Sequence, residues 1–413
     1  MLREKCAESS SKAIFVKKGL QSIVILIIYM IGRNIPLPLV EYENVLQNTK
    51  HSLLLELSAG ATGANLAQTA LFSLGLGPWM SAMIIWQLLI MIKKFNFDKL
   101  SKKEADIYQL ILMLGIAVIE ALGMIVNFDL VDRSVETTFF LVTVMTGGAF
   151  LLTWLANMNG EFGIGGPVLV VFFGMIGSIE QQLATTLRTT EKTSFYLAAF
   201  LLIFAIVSTL IVVLTVIFEK AEYRIPLNRI LVNSKFGAQT YLPIKLNPCG
   251  AIAVMFGLSV LLIPSYLVQI MSNFFPTVNF LYWLSQNMGL NSYFGVSLYV
   301  LAIFSLSFVF GFINVDAEKI SENLRNSGDY INGIRPGKAT QRFLQLYVRR
   351  FSFVGATFNT LIAGTPVYLG VVYPQYSVIV MVPGFLLMAV GMVLMISAQL
   401  KTINILHNYH QLL

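Results

Sequence analysis

The sequence predicts an all-α polytopic membrane protein. Three observations carry that reading: too little charge for a soluble surface, apolar runs of spanning length, and basic residues sorted between alternate connections. Of 413 residues, 56% are hydrophobic and 12% charged, with a mean hydropathy of +0.74. Soluble domains sit near roughly 45–50% and about 25%. A water-facing surface for a fold of this length needs more charge than the chain supplies.

A helical span needs about 20 apolar residues. Such runs fall at 15–35, 71–92, 107–128, 137–158, 163–183, 196–218, 249–271, 293–313, 351–372 and 378–400. Ten spans divide into two sets of five. An odd number per set turns the halves in opposite orientation, the pattern of an inverted repeat about a central path. The chain then divides into a tail at 1–14, a first half at 15–195, a second half at 196–400 and a tail at 401–413.

With the N-terminus cytosolic, the inside segments hold 23 of the 28 Lys and Arg. The outside segments hold only Arg33, Lys50, Arg133, Arg188 and Lys192. This is the positive-inside bias of multi-span proteins, and it returns the C-terminus to the cytosol. The net charge of +7 is therefore a cytosolic rim that faces anionic lipid or a cytosolic partner, not nucleic acid directly. Cys6 and Cys249 stand apart and the three His lie outside the runs, so neither a disulfide nor a metal site is implied. The first run continues to Ile35 without a small-residue cleavage site, which reads as a retained span rather than a signal peptide.

Three connections stand out. Segment 57–70 is small, weakly polar and uncharged. It is too polar to span, and it suits a short helix or re-entrant piece packed within the protein as well as it suits a loop. Segments 219–248 and 314–350 are long and basic, and each has the length to project from the membrane. Together they suit a docking surface, or simply topogenic charge.

No catalytic set and no cofactor site emerges. Gly333-Ile-Arg-Pro-Gly-Lys-Ala-Thr superficially resembles a phosphate loop. It is one residue short, and Ala339 stands where Ser or Thr binds magnesium. Glu120 is the one ionisable group deep within a run. A carboxylate there costs roughly 2.5–3.5 kcal/mol on insertion scales, so it faces protein or water. Two roles stay open: a relay group in a small-solute transporter, or a polar contact between helices. Gln87, Gln109 and Asn157 are the other polar side chains at or near membrane depth, suited to bonds across helices.

Six stretches, in order, resemble the SecY/Sec61 protein-conducting channel family. They are Ile31-Gly-Arg-Asn-Ile-Pro-Leu-Pro38, Leu74-Gly-Leu-Gly-Pro-Trp-Met80 continuing to Leu89, Gly163-Ile-Gly-Gly166, Tyr223-Arg-Ile-Pro226, Tyr241-Leu-Pro-Ile-Lys-Leu-Asn247, and Ser321-Glu-Asn-Leu-Arg325 through Gly333-Ile-Arg-Pro-Gly-Lys338. The resemblance covers essentially the whole chain. It implies an hourglass pore between the two five-helix halves and an external plug at about 57–70, including Ser58, Gly60, Gly63 and Asn65. It also implies a lateral gate between spans 2–3 and 7–8, with Gln87 and Glu120 at polar gate positions. The apolar pore ring falls at Leu76, Met80, Val168, Phe172, Ile252, Met255 and Met388. Such a ring resists wetting yet yields to a passing chain, and Met adapts its shape well to that task.

The resemblance further implies docking of a SecA-type ATPase motor at Arg224, Arg335 and Lys338. It implies small SecE/SecG-like or accessory Sec subunits, an unfolded secretory polypeptide as cargo, and a plasma-membrane location. Three departures point to the accessory branch of the family in Gram-positive bacteria, which exports serine-rich glycosylated adhesins. The chain is short, 384–395 lacks an acid, and Gly166-Pro-Val-Leu169 replaces an Asn-Gly turn. A housekeeping channel for general secretion and insertion is the alternative. A solute transporter using Glu120 and a membrane scaffold without a path stand further off.

Overall fold

The computed structural model describes residues 2–40, 70–91, 97, 100–126, 128, 130, 132, 134–189, 194–229, 240–374 and 377–410. The first helix, α1 (Leu2–Asn34), runs through the expected N-terminal tail as well as the first apolar run. The second run does not begin as helix. Residues 71–76 form consecutive tight turns, and α2 (Gly77–Met91) starts only at Gly77-Pro78. Proline in a first helical turn lacks only a donor that has no helical partner there anyway.

Next come α3 (Lys102–Val126), α4 (Val135–Phe162), α5 (Gly166–Thr189) and α6 (Ser194–Lys220). A reciprocal cap opens α3: the Ser101 amide donates to Glu104 Oε2 at 2.9 Å, and the Glu104 amide donates to Ser101 Oγ at 3.4 Å. Such a box satisfies two amides that the first helical turn leaves without partners. Ser134 caps α4 by accepting from the Thr137 amide at 3.2 Å.

The long basic connections hold a structure that the apolar pattern did not reveal. Strands β1 (Glu222–Arg229) and β2 (Tyr241–Lys245) come from the first connection. Helix α10 (Ala317–Ser327) and β3 (Asp329–Ile331) come from the second. The antiparallel order is β2-β1-β3. Central β1 carries Pro226, which a continuous ladder would not accept. It is tolerated because β1 changes partner there: β2 pairs with residues 222–226 and β3 with residues 227–229. Ile225, Ile244, Ile331, Ala317 and Leu344 form a small core beneath the sheet, separate from the main one.

The remaining elements are α7 (Ile252–Phe274), α8 (Asn279–Asn287), α9 (Tyr293–Asn314), α11 (Lys338–Asn359), α12 (Val367–Val372) and α13 (Ser377–His410). The run expected at 351–372 is not one regular helix. It begins earlier, at Lys338, widens into a π turn at Thr360–Gly364 and resumes after Pro366. Helix α7 is central and packs against α2, α3, α9 and α13. The α3–α7 and α2–α7 contacts form one seam between the expected first and second halves, and the α5–α13 contact forms another.

Among the described residues, five stretches are long and apolar enough to cross a membrane: Lys102–Val126, Val135–Phe162, Ile252–Phe274, Tyr293–Ser327 and Ile379–Ile405. Large apolar side chains stand on the outer surface of these helices, among them Leu110, Phe139, Trp154 and Leu301.

Candidate functional site

A cavity of about 440 Å³ opens where α2, α5 and α7 meet. Its apolar wall includes Met80, Met83, Val168, Ile252, Met255 and Phe256. Its mouth lies on the side of the sheet and carries Glu219, Lys245, Asn247 and Asn314. Four of the seven expected ring residues thus come together: Met80, Val168, Ile252 and Met255. Leu76 and Met388 are buried in the surrounding core, and Phe172 packs against it half-buried; these three do not line this cavity. Met80 is bonded across to α7, its sulfur accepting from Ser259 Oγ at 3.8 Å.

The turns that open α5 and α7 are each clamped by a buried asparagine. On the α5 side, Asn159 Nδ2 donates to the carbonyls of Ile164 and Gly166, each at 2.9 Å. Its Oδ1 accepts from Ser22 Oγ at 2.8 Å, and Ser22 Oγ accepts from the Ile164 amide at 2.8 Å. Gly165 and Gly166 sit in this turn at φ +78° and +53°, where a side chain is strained. The Gly165 amide reaches across to Gln399 Oε1 of α13 at 2.9 Å.

On the α7 side, Asn359 Nδ2 donates to Gly250 O at 3.1 Å, Ser307 Oγ at 3.3 Å and Cys249 Sγ at 3.6 Å. Asn247 Nδ2 donates to Glu219 Oε1 at 2.9 Å and to Asn359 Oδ1 at 3.4 Å. Asn314 Nδ2 holds Pro248 O at 2.9 Å.

The seam between α3 and α7 is tight at one point. The Tyr266 ring of α7 lies directly over Gly123 of α3, leaving no room for a Cβ. One helical turn earlier, Glu120 is 2% exposed, and its Oε1 has no hydrogen-bond partner among the described residues. Gln87 lines the cavity, its Oε1 also without a partner among the described residues.

The docking candidates are all on the sheet side. Arg224 lies on β1, bonded to Glu222 at 2.8 Å, with its guanidinium carbon 4.7 Å from the centre of the Tyr241 ring. The Glu222 hydrogen bond raises the Arg224 pKa above its ordinary value. Arg335 and Lys338 are exposed, just before and at the start of α11. The expected plug, with Ser58, Gly60, Gly63 and Asn65, lies outside the described residues.

The sequence reading missed Asn159 and Asn359. It named Asn157 instead, which is exposed. Two positions along a helix turn the side chain by about 200°, so neighbouring asparagines face opposite ways. Asn247 lies in a quoted motif, but nothing local in the sequence marks its partners 28 and 112 positions away.

Fold and site together define a multi-pass membrane protein with an apolar, polar-mouthed cavity where α2, α5 and α7 meet. A family model described as SecY matches residues 70–403, and the chain belongs to that family. It is 33% identical over 408 residues to an accessory Sec system protein translocase subunit SecY2 of Leuconostoc gelidum subsp. gasicomitatum, covering 96% of each chain. It is 33% identical over 411 residues to the protein of that name from Streptococcus gordonii, covering 98% of this chain and all of that one. Its fold is similar to that of a solved protein-conducting channel (TM-score 0.67, 18% identity, 95% of this chain and 93% of that chain). It is also similar to Sec61 from a canine ribosome–channel complex (TM-score 0.64, 17% identity, 95% and 93%).

Proposed function

We propose that this chain is the channel subunit of an accessory Sec translocase, passing unfolded secretory polypeptides across the plasma membrane. One observation carries the reading: in a chain of the SecY family, Met80, Val168, Ile252 and Met255 from three helices wall one cavity. An apolar, methionine-rich constriction excludes hydrated ions and offers a passing chain no fixed hydrogen bonds to break. Leu76, Phe172 and Met388 complete the constriction as it closes round a chain. The relatives' names favour the accessory system.

On this reading the chain spans the membrane ten times in two inverted halves, with both termini cytosolic. Segment 57–70 plugs the outer side. The α3–α7 seam, with Gln87 and Glu120 nearby, is the lateral gate. The protein performs no chemistry of its own; a SecA-type motor docked at Arg224, Arg335 and Lys338 supplies the work, alongside SecE/SecG-like or accessory Sec subunits. Serine-rich glycosylated adhesins are the cargo that the accessory assignment implies. Arginine presents a planar fork to carboxylates, which suits docking.

Site-directed cross-linking tests the path. Met80→Cys should form an adduct with a cysteine in a stalled secretory chain, whereas Leu301→Cys on the outer surface should not. Absence of the Met80 adduct, or gradient-driven solute uptake abolished by Glu120→Gln, would overturn the channel reading.

A further inference from the structure

Between Lys245 and Asp316 the chain carries no charged residue. Crossing helices account for two parts of this stretch, α7 and α9. The third part is their connection, 275–292, on the face of the molecule opposite the sheet. An ordinary water-facing connection is not so free of charge, since soluble domains carry about a quarter charged residues. Two other connections on that side are charged: 127–134 holds Asp129, Asp132 and Arg133, and 190–193 holds Glu191 and Lys192.

What the connection has instead is aromatic rings and neutral polar groups. Helix α8 lies within it and packs on α7, with Leu281 and Leu284 half-buried. Around the helix, Phe280, Tyr282 and Trp283 are 65%, 62% and 50% exposed. Phe274 and Phe275 precede them and Tyr293 follows, all exposed. Asn279, Ser285, Gln286 and Asn287 are interspersed. This surface is continuous with the exposed apolar flanks of α7 and α9 at Leu267, Met271 and Leu301. Rings with apolar bodies and polar tips, without charge, are the chemistry of the lipid headgroup layer.

We propose that α8 is an interfacial helix seated in the headgroup layer of the leaflet opposite the sheet. Phe280 and Trp283 enter the acyl boundary, and the helix tethers the adjoining ends of α7 and α9 to lipid. The inference rests on the chain being a membrane protein and is independent of what passes through it.

Spin labelling in proteoliposomes tests it. Single cysteines at Phe280, Leu301 and Glu322 would be labelled in a Cys6→Ser background, where Cys249 is 4% exposed and labelling stoichiometry is read by intact mass. Collisional access to oxygen, which partitions into lipid, is compared with access to a water-soluble nickel chelate. The Phe280→Cys label should show an oxygen-to-nickel ratio several-fold above that at Glu322→Cys and approaching that at Leu301→Cys. Nickel access at position 280 equal to that at 322, with 301 protected, overturns the inference by placing α8 in water. Low access to both reagents at 280 overturns it in favour of a protein cover, a second copy or a partner. Nickel access at 301 as well overturns the membrane placement itself.

Discussion

Two buried asparagines do similar work by different means. Asn159 closes a short neutral ring with Ser22 and the backbone of 164–166, every bond at 2.8–2.9 Å. Asn359 shares a wider set of contacts at 3.1–3.6 Å with Gly250, Ser307 and Cys249, and through Asn247 this set reaches the carboxylate of Glu219. The first holds the turn into α5 against a single arrangement. The second draws on α6, α9, α11 and the turn before α7, and its longer contacts leave room to exchange partners. The difference matters because α7 forms both the cavity wall and the seam with α3, so its opening turn has more reason to yield.

Breaking the tighter clamp should have the largest effect. Asn159→Leu orphans Ser22 and two carbonyls in a buried site, and at 1–3 kcal/mol for each unsatisfied group the expected loss is about 4 kcal/mol. A fall in the unfolding free energy of the detergent-solubilised protein, read by denaturant titration, measures it. Asn359→Leu should lose less, about 2–3 kcal/mol, because its longer bonds contribute less to begin with. If the order is reversed, the comparison fails. The double variant should lose the sum to within about 0.5 kcal/mol if the clamps act independently.

Smaller changes sharpen the contrast. Glu219→Gln keeps an acceptor for Asn247 but removes the charge, and should shift stability by about 1 kcal/mol. A null result would show that the carboxylate contributes nothing beyond its hydrogen bond. Gln399→Leu removes the single bond from α13 to the Gly165 amide, and about 1 kcal/mol or less is expected by the same titration. Arg335→Glu should leave stability and abundance unchanged while abolishing motor-driven export into vesicles, which separates the sheet side from both clamps.

The helices were legible because apolar runs of spanning length leave little alternative, and α3, α4, α7 and α9 lie within a few residues of the runs that announced them. The sheet was not. Its strands are short and carry charge and proline, and β1 finds β3 a hundred positions along the chain, which no local periodicity encodes. The π turn at 360–364 was equally hidden, since an apolar run looks the same whatever its winding. Within the cavity, Met80, Val168, Ile252 and Met255 were found by motif resemblance. The polar mouth at Glu219 and Asn247 was not, because its members meet only in three dimensions.

The pairing of β1 with β3 has a mechanical consequence. One strand hangs from α6 and the other leads into α11, so two separate arms are stapled by three residue pairs and by the Asn228–Asn332 amide bond of 2.6 Å. A push delivered to either arm is shared by both, and the helices they continue into are displaced as one handle rather than as two levers.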